Sequence, residues 1–250
     1  MNLSRVLVIM PTFNEAQCIL QTWSELRTAL PDINILIVDD NSPDGTGGIA
    51  DRLTHADDRT FVLHRAVKQG LGAAYIDGFR WAATQDFDFV VEMDADGSHR
   101  AADLSLMLAV ADECDLVIGS RWVSGGGIEN WSWHRQLLSR AGNNYVRRLL
   151  NLKVGDSTAG FRVFRSSALA AIHLDSISST GYCFQVDMTR RFAHHGFRIR
   201  EVPILFVERR AGKSKMSNAI VREALWRVTV WGIQDRLSKV AHLFSRHWGT

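Results

Sequence analysis

The sequence predicts an α/β fold, a mostly parallel sheet flanked by helices. Two observations lead there. Short apolar runs recur at residues 5–10, 34–39, 60–64, 88–93 and 115–119, each the length of a strand. Between them, residues 15–30, 72–84 and 102–112 carry apolar positions at three- and four-residue spacing, as helices with one buried face do. Strand–helix alternation of this kind builds a parallel sheet with right-handed crossovers. Such sheets bind ligands at the carboxyl ends of their strands. Three loops in that position hold unusual residues: "PTFNE" at 11–15, "DDNSPDGT" at 39–46 and "DADGSH" at 94–99.

Taken in order, the first strand runs into Pro11 and a loop ending on Glu15. The second ends on Asp39 and Asp40, whose carboxylates can accept hydrogen bonds from a nucleotide base or ribose. Ser42-Pro43-Asp44 resembles a helix start, so Asp40 is expected to face a ligand while Ser42 or Asp44 serves the helix. After the third strand comes "KQGLGAAY" at 68–75. Helix N-termini bind anions, but glycines also mark ordinary loop-to-helix joints, and the letters alone favour the joint. The fourth strand ends on Asp94 and Asp96, like charges that repel unless a cation is expected. Magnesium or manganese suits such hard oxygens and would clamp a diphosphate. A solvated turn tipped by Asp96-Gly97 reads the same in isolation. Convergence of Glu15, Asp39-Asp40 and Asp94/Asp96 on one cleft favours the ligand site.

The second half is less regular. The glycines at 125–127 read as a mobile loop. Basic residues that can meet phosphate are Arg121 in "GSRW", Arg135 in "NWSWHR", and Arg209, Arg210, Lys213 and Lys215 in "ERRAGKSK". The glycine inside "RRAGKSK" suggests a flexible lid. Arg147, Arg148, Arg190 and Arg191 read as solvated surface, and Asp187 as a structural hydrogen-bond acceptor. Residues 219–248 interleave Trp, Leu and Val with Arg222, Arg227, Arg236, Lys239 and Arg246. That pattern fits a helix packed on the domain over 219–231 and a membrane-interface helix over 237–248. Residues 1–218 therefore read as one α/β domain and 219–250 as a C-terminal amphipathic extension.

The totals agree. A 46% hydrophobic and 22% charged chain of 250 residues buries a full core. A net charge of +2 argues against a nucleic-acid partner. Cys18, Cys114 and Cys183 are odd in number and form no CxxC pair, which suggests a reducing cytoplasm and no thiolate-held metal. The apolar run before Pro11 is too short for a signal peptide, and no stretch reaches bilayer-spanning length.

Together, "PTFNE", "VDDNSPDGT", "KQGLGAAYIDGF", "MDADGSH", "IGSRWVSGG", "ENWSWHR", "STAGFRVFR" and "ERRAGKSKMS" follow the order seen in polyprenol- and dolichol-phosphate mannose synthases. The chain resembles that family, most closely its actinobacterial members, over about residues 5–235. The resemblance implies the GT-A glycosyltransferase fold, a divalent cation, and inverting transfer of mannose from GDP-mannose to a polyprenyl phosphate. It further implies that Pro11, Phe13, Glu15, Val38 and Asp40 hold the guanosine. Asp94, Ala95 and Asp96 lie at the diphosphate, with the metal on Asp94 or Asp96. Arg121, Arg135 and Ser139 receive the lipid phosphate, and Arg209 and Lys215 close over the donor. A lipid acceptor implies peripheral attachment to the cytoplasmic face of the membrane, and some relatives work beside a membrane-embedded acyltransferase.

Two departures stand out: Phe13 replaces a tyrosine common in relatives, and Ser98 takes the place of a metal-binding glutamine. A polyprenyl-phosphate glucosyltransferase using UDP-glucose is the alternative within the family. A phosphate-sensing receiver module fails, because its third strand must end on an aspartate and here reads "VLHRAVK".

Overall fold

A computed structural model describes residues 1–177, 182–208 and 218–247, with backbone alone for Tyr182, 218–221, 223 and 238–247. In chain order the elements are β1 (Val6–Thr12), α1 (Ile19–Ala29), β2 (Asn34–Asp39), α2 (Thr46–Ala56), β3 (Thr60–His64), α3 (Leu71–Ala83), β4 (Phe89–Glu92), α4 (Ala101–Ala111) and β5 (Leu116–Ser120). The second half adds β6 (Gly127–Glu129), α5 (Trp133–Leu149), β7 (Arg162–Arg165), α6 (Ser166–Ala170), α7 (Tyr182–His194), β8 (Ile199–Pro203), β9 (Leu205–Val207) and α8 (Asn218–His247).

The main sheet runs β3-β2-β1-β4-β7-β5-β8. β7 lies antiparallel to β4 and β5, and the other pairs are parallel. Parallel strands are covered on both faces and therefore read as continuous apolar runs. Val6, Val8 and Met10 of β1 and Ile35 and Ile37 of β2 join the core under α1, α2 and α4. The alternate residues Leu7, Ile9, Leu36 and Val38 join the core under α3 and α7, as the two-residue period of a strand requires. Gly78 lets α3 approach the sheet, since a Cβ there would stand 2.8 Å from Ile9 Cγ2.

The five expected strands are present, displaced by at most two residues at an end. β7 is the element that the sequence pattern does not announce. Its "RVFR" run is short, and Arg162 is fully buried. Because β7 runs against its neighbours, the loop before it emerges at the carboxyl ends of β4 and β5. The glycines at 125–127 are no loose loop: Gly126 N–H donates to Val123 O at 2.9 Å, and Gly127 begins β6, which pairs with β9.

α8 is docked over its first half. Val228 is buried against Val146, Leu150 and Val186, and Tyr145 and Thr229 share a 2.7 Å hydroxyl hydrogen bond. Arg190 is not solvated surface: it is mostly buried and grips Asp235 of α8, while Arg191 donates to Asp187 at 3.1 Å. Within 219–231 the described side chains divide: Val228 and Trp231 pack on the domain, while Leu225 and Trp226 are exposed. Beyond Leu237 the side chains lie outside the described residues. No described helix is long and apolar enough to cross a membrane.

Candidate active site

From β1 the chain steps outward to β2 and β3, then returns to β4 on the other flank of β1. Loops at the carboxyl ends of β1 and β4 therefore diverge and leave a crevice. A cleft of about 370 Å³ lies there, and it gathers residues from all three acidic loops together with Arg121 and Arg135.

At one end, Pro11, Phe13, Glu15 and Asp40 line the cleft. Asp40 is buried and held by Arg65, which also donates to Asp77 Oδ2 at 2.7 Å and Gln69 Oε1 at 2.9 Å. Burial pushes the Asp40 carboxyl upward against the pull of Arg65 and Lys68. Asp39 turns the other way, accepting from Thr12 Oγ1 at 2.9 Å and Ser42 Oγ at 2.6 Å. Asp44 accepts from the Thr46 and Ala16 N–H groups, tying the β1 loop to the start of α2. Asp40 thus faces the cleft and Asp44 serves the helix. Val38 sits beneath, paired with Pro11 in the sheet and with its side chain in the core. The "KQGLG" loop is more than a joint, because Lys68, Gly70 and Leu71 line the cleft and Lys68 Nζ lies 3.6 Å from the Phe13 ring centroid.

The middle is the Asp94–His99 turn. Gly97 adopts φ 78°, open to glycine at little cost, and Ser98 N–H folds back on Asp96 Oδ1 at 3.0 Å. Thr22 Oγ1 pins the Ala95 carbonyl at 2.9 Å. Asp94 N–H donates to His99 Nδ1 at 3.0 Å, so the His99 proton resides on Nε2. Burial drives the His99 pKa down to about 4 and keeps the ring neutral against Phe161. Asp94, Ala95 and Asp96 line the cleft. Ser98 is instead buried below it: its carbonyl takes the Val207 N–H at 3.2 Å, and its Oγ has no partner among the described residues.

The donor set fits a divalent cation of a particular kind. Asp94 and Asp96 offer hard carboxylate oxygens side by side, while no group of three or more His, Cys, Asp or Glu able to hold a metal occurs among the described residues. Magnesium and its analogues bind in this way, through one or two carboxylates, with substrate phosphates and waters completing the shell.

At the far end stands Arg121, nearly buried. Asp156 engages its Nε and Nη2 at 2.7 Å each, and Thr158 Oγ1 accepts from Nη2 at 3.0 Å. Although burial works to raise it, Arg121 holds the Asp156 carboxyl below its usual range. Arg135 lies over the Trp131 ring at 3.8 Å and donates to Glu208 at 2.8 Å. One helical turn on, Ser139 opens onto a second cavity, a largely apolar groove of about 340 Å³ between α5, α7 and α8. Arg135, Trp131 and Thr158 line both spaces. Arg209, Arg210, Lys213 and Lys215 lie outside the described residues.

Sequence reasoning missed Arg65, Asp156, His99 and Gln185, although all four are near or in the cleft. Asp156 directly precedes "STAGF" and His99 ends "DADGSH", so both stood inside or beside recognised strings. Arg65 and Gln185 act through partners distant in sequence and carry no local signal.

Residues 7–172 match glycosyl transferase family 2. The chain is 48% identical over 237 residues to a polyprenol monophosphomannose synthase of Mycolicibacterium smegmatis, covering 94% of this chain and 89% of that one. It is 52% identical over 232 residues to an undecaprenyl-phosphate mannosyltransferase of Micrococcus luteus, covering 93% and 96%. Among solved structures, the fold resembles glucosyl-3-phosphoglycerate synthase of Mycobacterium tuberculosis, in complex with Mn2+, UDP-glucose and phosphoglyceric acid (TM-score 0.67, 17% identity, 91% of this chain and 79% of that one). It also resembles a mannosyltransferase of Pyrobaculum calidifontis solved with GDP-Man and Mn2+ (TM-score 0.57, 17% identity, 94% and 64%). A cleft at the β1/β4 switch point, a GT-A architecture and relatives at about half identity over nearly the whole chain lead to one conclusion: the chain belongs to glycosyl transferase family 2, among its polyprenyl-phosphate mannosyltransferases.

Proposed function

We propose that the protein transfers mannose from GDP-mannose to a polyprenyl phosphate, with inversion, at the membrane surface. One observation carries this reading: the polar cleft and the apolar groove share Arg135, Trp131 and Thr158. A nucleotide sugar suits the first space and an isoprenoid chain the second. The shared arginine stands where a lipid phosphate would meet the sugar.

Pro11, Phe13, Glu15 and Asp40 hold the nucleoside. Asp94 and Asp96 present a divalent cation to the diphosphate, and the cation, when bound, neutralises charge on the leaving group. Arg209 and Lys215 close over the donor. Arg121, oriented by Asp156, and Arg135 with Ser139 hold the acceptor phosphate, drawing together two anions that repel each other. The acceptor is already an anion near neutral pH and needs no strong base. That fits a site where His99 Nδ1 is occupied and Asp187 is engaged by Arg191.

Exposed apolar side chains on α5 and α8 support membrane attachment. Trp133 and Leu137 of α5 and Trp226, Ile233 and Leu237 of α8 are all more than half exposed, with Arg222 and Arg236 exposed on α8 among them. Tryptophan, leucine and arginine together suit the lipid interface. The cysteines are buried, and an odd, scattered set of three fits a reducing compartment, in keeping with the cytoplasmic face.

Donor choice is tested by offering GDP-mannose and UDP-glucose to the purified protein with polyprenyl phosphate in detergent. Transfer from GDP-mannose alone is expected. Transfer from UDP-glucose alone would overturn the donor and leave the acceptor reading standing.

A further inference from the structure

Arg65 follows β3 directly and is 8% exposed, so a buried guanidinium stands at the carboxyl edge of the sheet. Its main-chain N–H donates to Asp39 O at 2.8 Å, continuing the pairing of β2 with β3. Its side chain reaches three other places. Nη1 donates to Asp40 Oδ1 beyond the end of β2. Nε donates to Asp77 Oδ2 of α3 at 2.7 Å, and Nη2 to Gln69 Oε1 at 2.9 Å. Gln69 lies in the loop that brings Lys68, Gly70 and Leu71 to the cleft. Asp77 is held in turn by Arg80, which donates to its Oδ1 at 2.9 Å.

Asp40 owes its side-chain direction to this guanidinium. The Asp40 N–H donates to Thr12 O at 3.0 Å, and Asn41 Nδ2 donates to Ala66 O at 3.2 Å. Those bonds fix the loop and leave the Asp40 carboxylate to be oriented by a side chain. Among the described residues, the Asp40 carboxylate takes its one hydrogen bond from Arg65, on Oδ1. Oδ2 therefore keeps its lone pairs, and Asp40 lines the cleft. A planar guanidinium can engage three partners in a fixed geometry, whereas an ammonium is a point charge on a flexible stem.

We propose that Arg65 is a positioning residue for the nucleoside end of the cleft. Braced by Asp77 and Gln69, it aims the Asp40 carboxylate so that the free oxygen accepts a hydrogen bond from the bound nucleoside. Arg65 need not touch the nucleotide itself. The inference rests on the reading of Asp40 as a nucleoside contact and adds to it the residue that sets the strength of that contact.

The test measures GDP affinity by calorimetry, with magnesium present, for the unaltered protein, Arg65→Lys, Asp40→Ala and the double variant. Arg65→Lys keeps the buried charge and is expected to weaken GDP binding about tenfold. Its kcat at saturating GDP-mannose should stay level, since the lost interaction serves binding alone. In Asp40→Ala, where Arg65 still has Asp77, the same replacement should cost nothing further. Undiminished GDP binding by Arg65→Lys overturns the inference. So does an equal loss with and without Asp40, the mark of a merely structural residue, or a fall in kcat at saturation. If Arg65→Lys does not fold, Asp77→Ala decides: GDP affinity should drop severalfold, and no longer do so once Asp40 is alanine. Unchanged affinity in Asp77→Ala then overturns the inference. Full GDP affinity in Asp40→Ala overturns it too, by removing Asp40 from the nucleoside site. Binding of UDP in place of GDP by the unaltered protein overturns the donor reading alone, and the same variants judge Arg65 with UDP.

Discussion

Asp156 grips Arg121 through two parallel hydrogen bonds of 2.7 Å and takes a third, of 3.0 Å, from the Arg121 main-chain N–H. The carboxylate is itself held: Asn143 Nδ2 approaches at 3.3 Å, and Glu201 accepts the Gly155 and Asp156 N–H groups at 2.7 and 2.9 Å. Three chain segments thus combine to aim one guanidinium at the cleft. Removing one partner of a buried pair leaves the other charge uncompensated, at about 3–5 kcal/mol. Asp156→Ala is expected to lose stability of that order in urea unfolding. Asp156→Asn should fold and show a raised KM for polyprenyl phosphate with GDP affinity little changed.

The pH dependence of stability follows from opposed shifts. Asp156, Asp57 and Asp44 have carboxyls held below their usual range in the fold. The stability they contribute is present above the unfolded value of about 3.9 and is lost as pH falls through the lower folded values. Glu92 is the reverse: burial lifts it from 4.5 to about 8. Its contribution is full below pH 4.5 and is lost as pH rises toward about 8. Stability should therefore decline at both ends. Glu92→Gln should flatten the alkaline decline and leave the acid limb intact, as read by melting temperature against pH.

Much of this was legible in the letters. The parallel half was readable because β1, β2 and β4 are buried on both faces and therefore apolar over most of their length. Asp40, Asp94 and Asp96 were readable because strand ends in such sheets face the ligand. β7 was not, because an antiparallel insertion changes neither the length nor the period of its four residues. The same insertion delivers Thr158 and Gly160 to the cleft and sets Asp156 against Arg121, so the Arg121–Arg135 end was legible only as isolated arginines. Arg190, read as surface, turned out to anchor α8 through Asp235, a partner 45 residues away. Long-range pairing of that sort leaves no trace in local spacing.

A divalent cation on Asp94 and Asp96 predicts that chelator abolishes transfer and that magnesium or manganese restores it. Asp96→Asn should lower kcat by about a hundredfold or more. Activity that survives exhaustive chelation would remove the cation from the account.

The exposed tryptophans make a separate prediction. Trp133 is 65% and Trp226 70% exposed on neighbouring helices. Replacing either with serine should weaken binding to anionic vesicles about tenfold. Transfer to a short, water-soluble prenyl phosphate should persist. Unchanged vesicle binding would shift the attachment to residues beyond Leu237 or to a membrane-embedded partner.

The central claim is direct displacement, in one cleft, of GDP by a lipid phosphate. The measurement that tests it most directly is the product formed from GDP-mannose and polyprenyl phosphate by the purified protein, with the configuration at its anomeric carbon. Polyprenyl phosphate mannose with inverted configuration is predicted. Retained configuration, or no product from protein shown to be folded and supplied with a divalent cation, would contradict it.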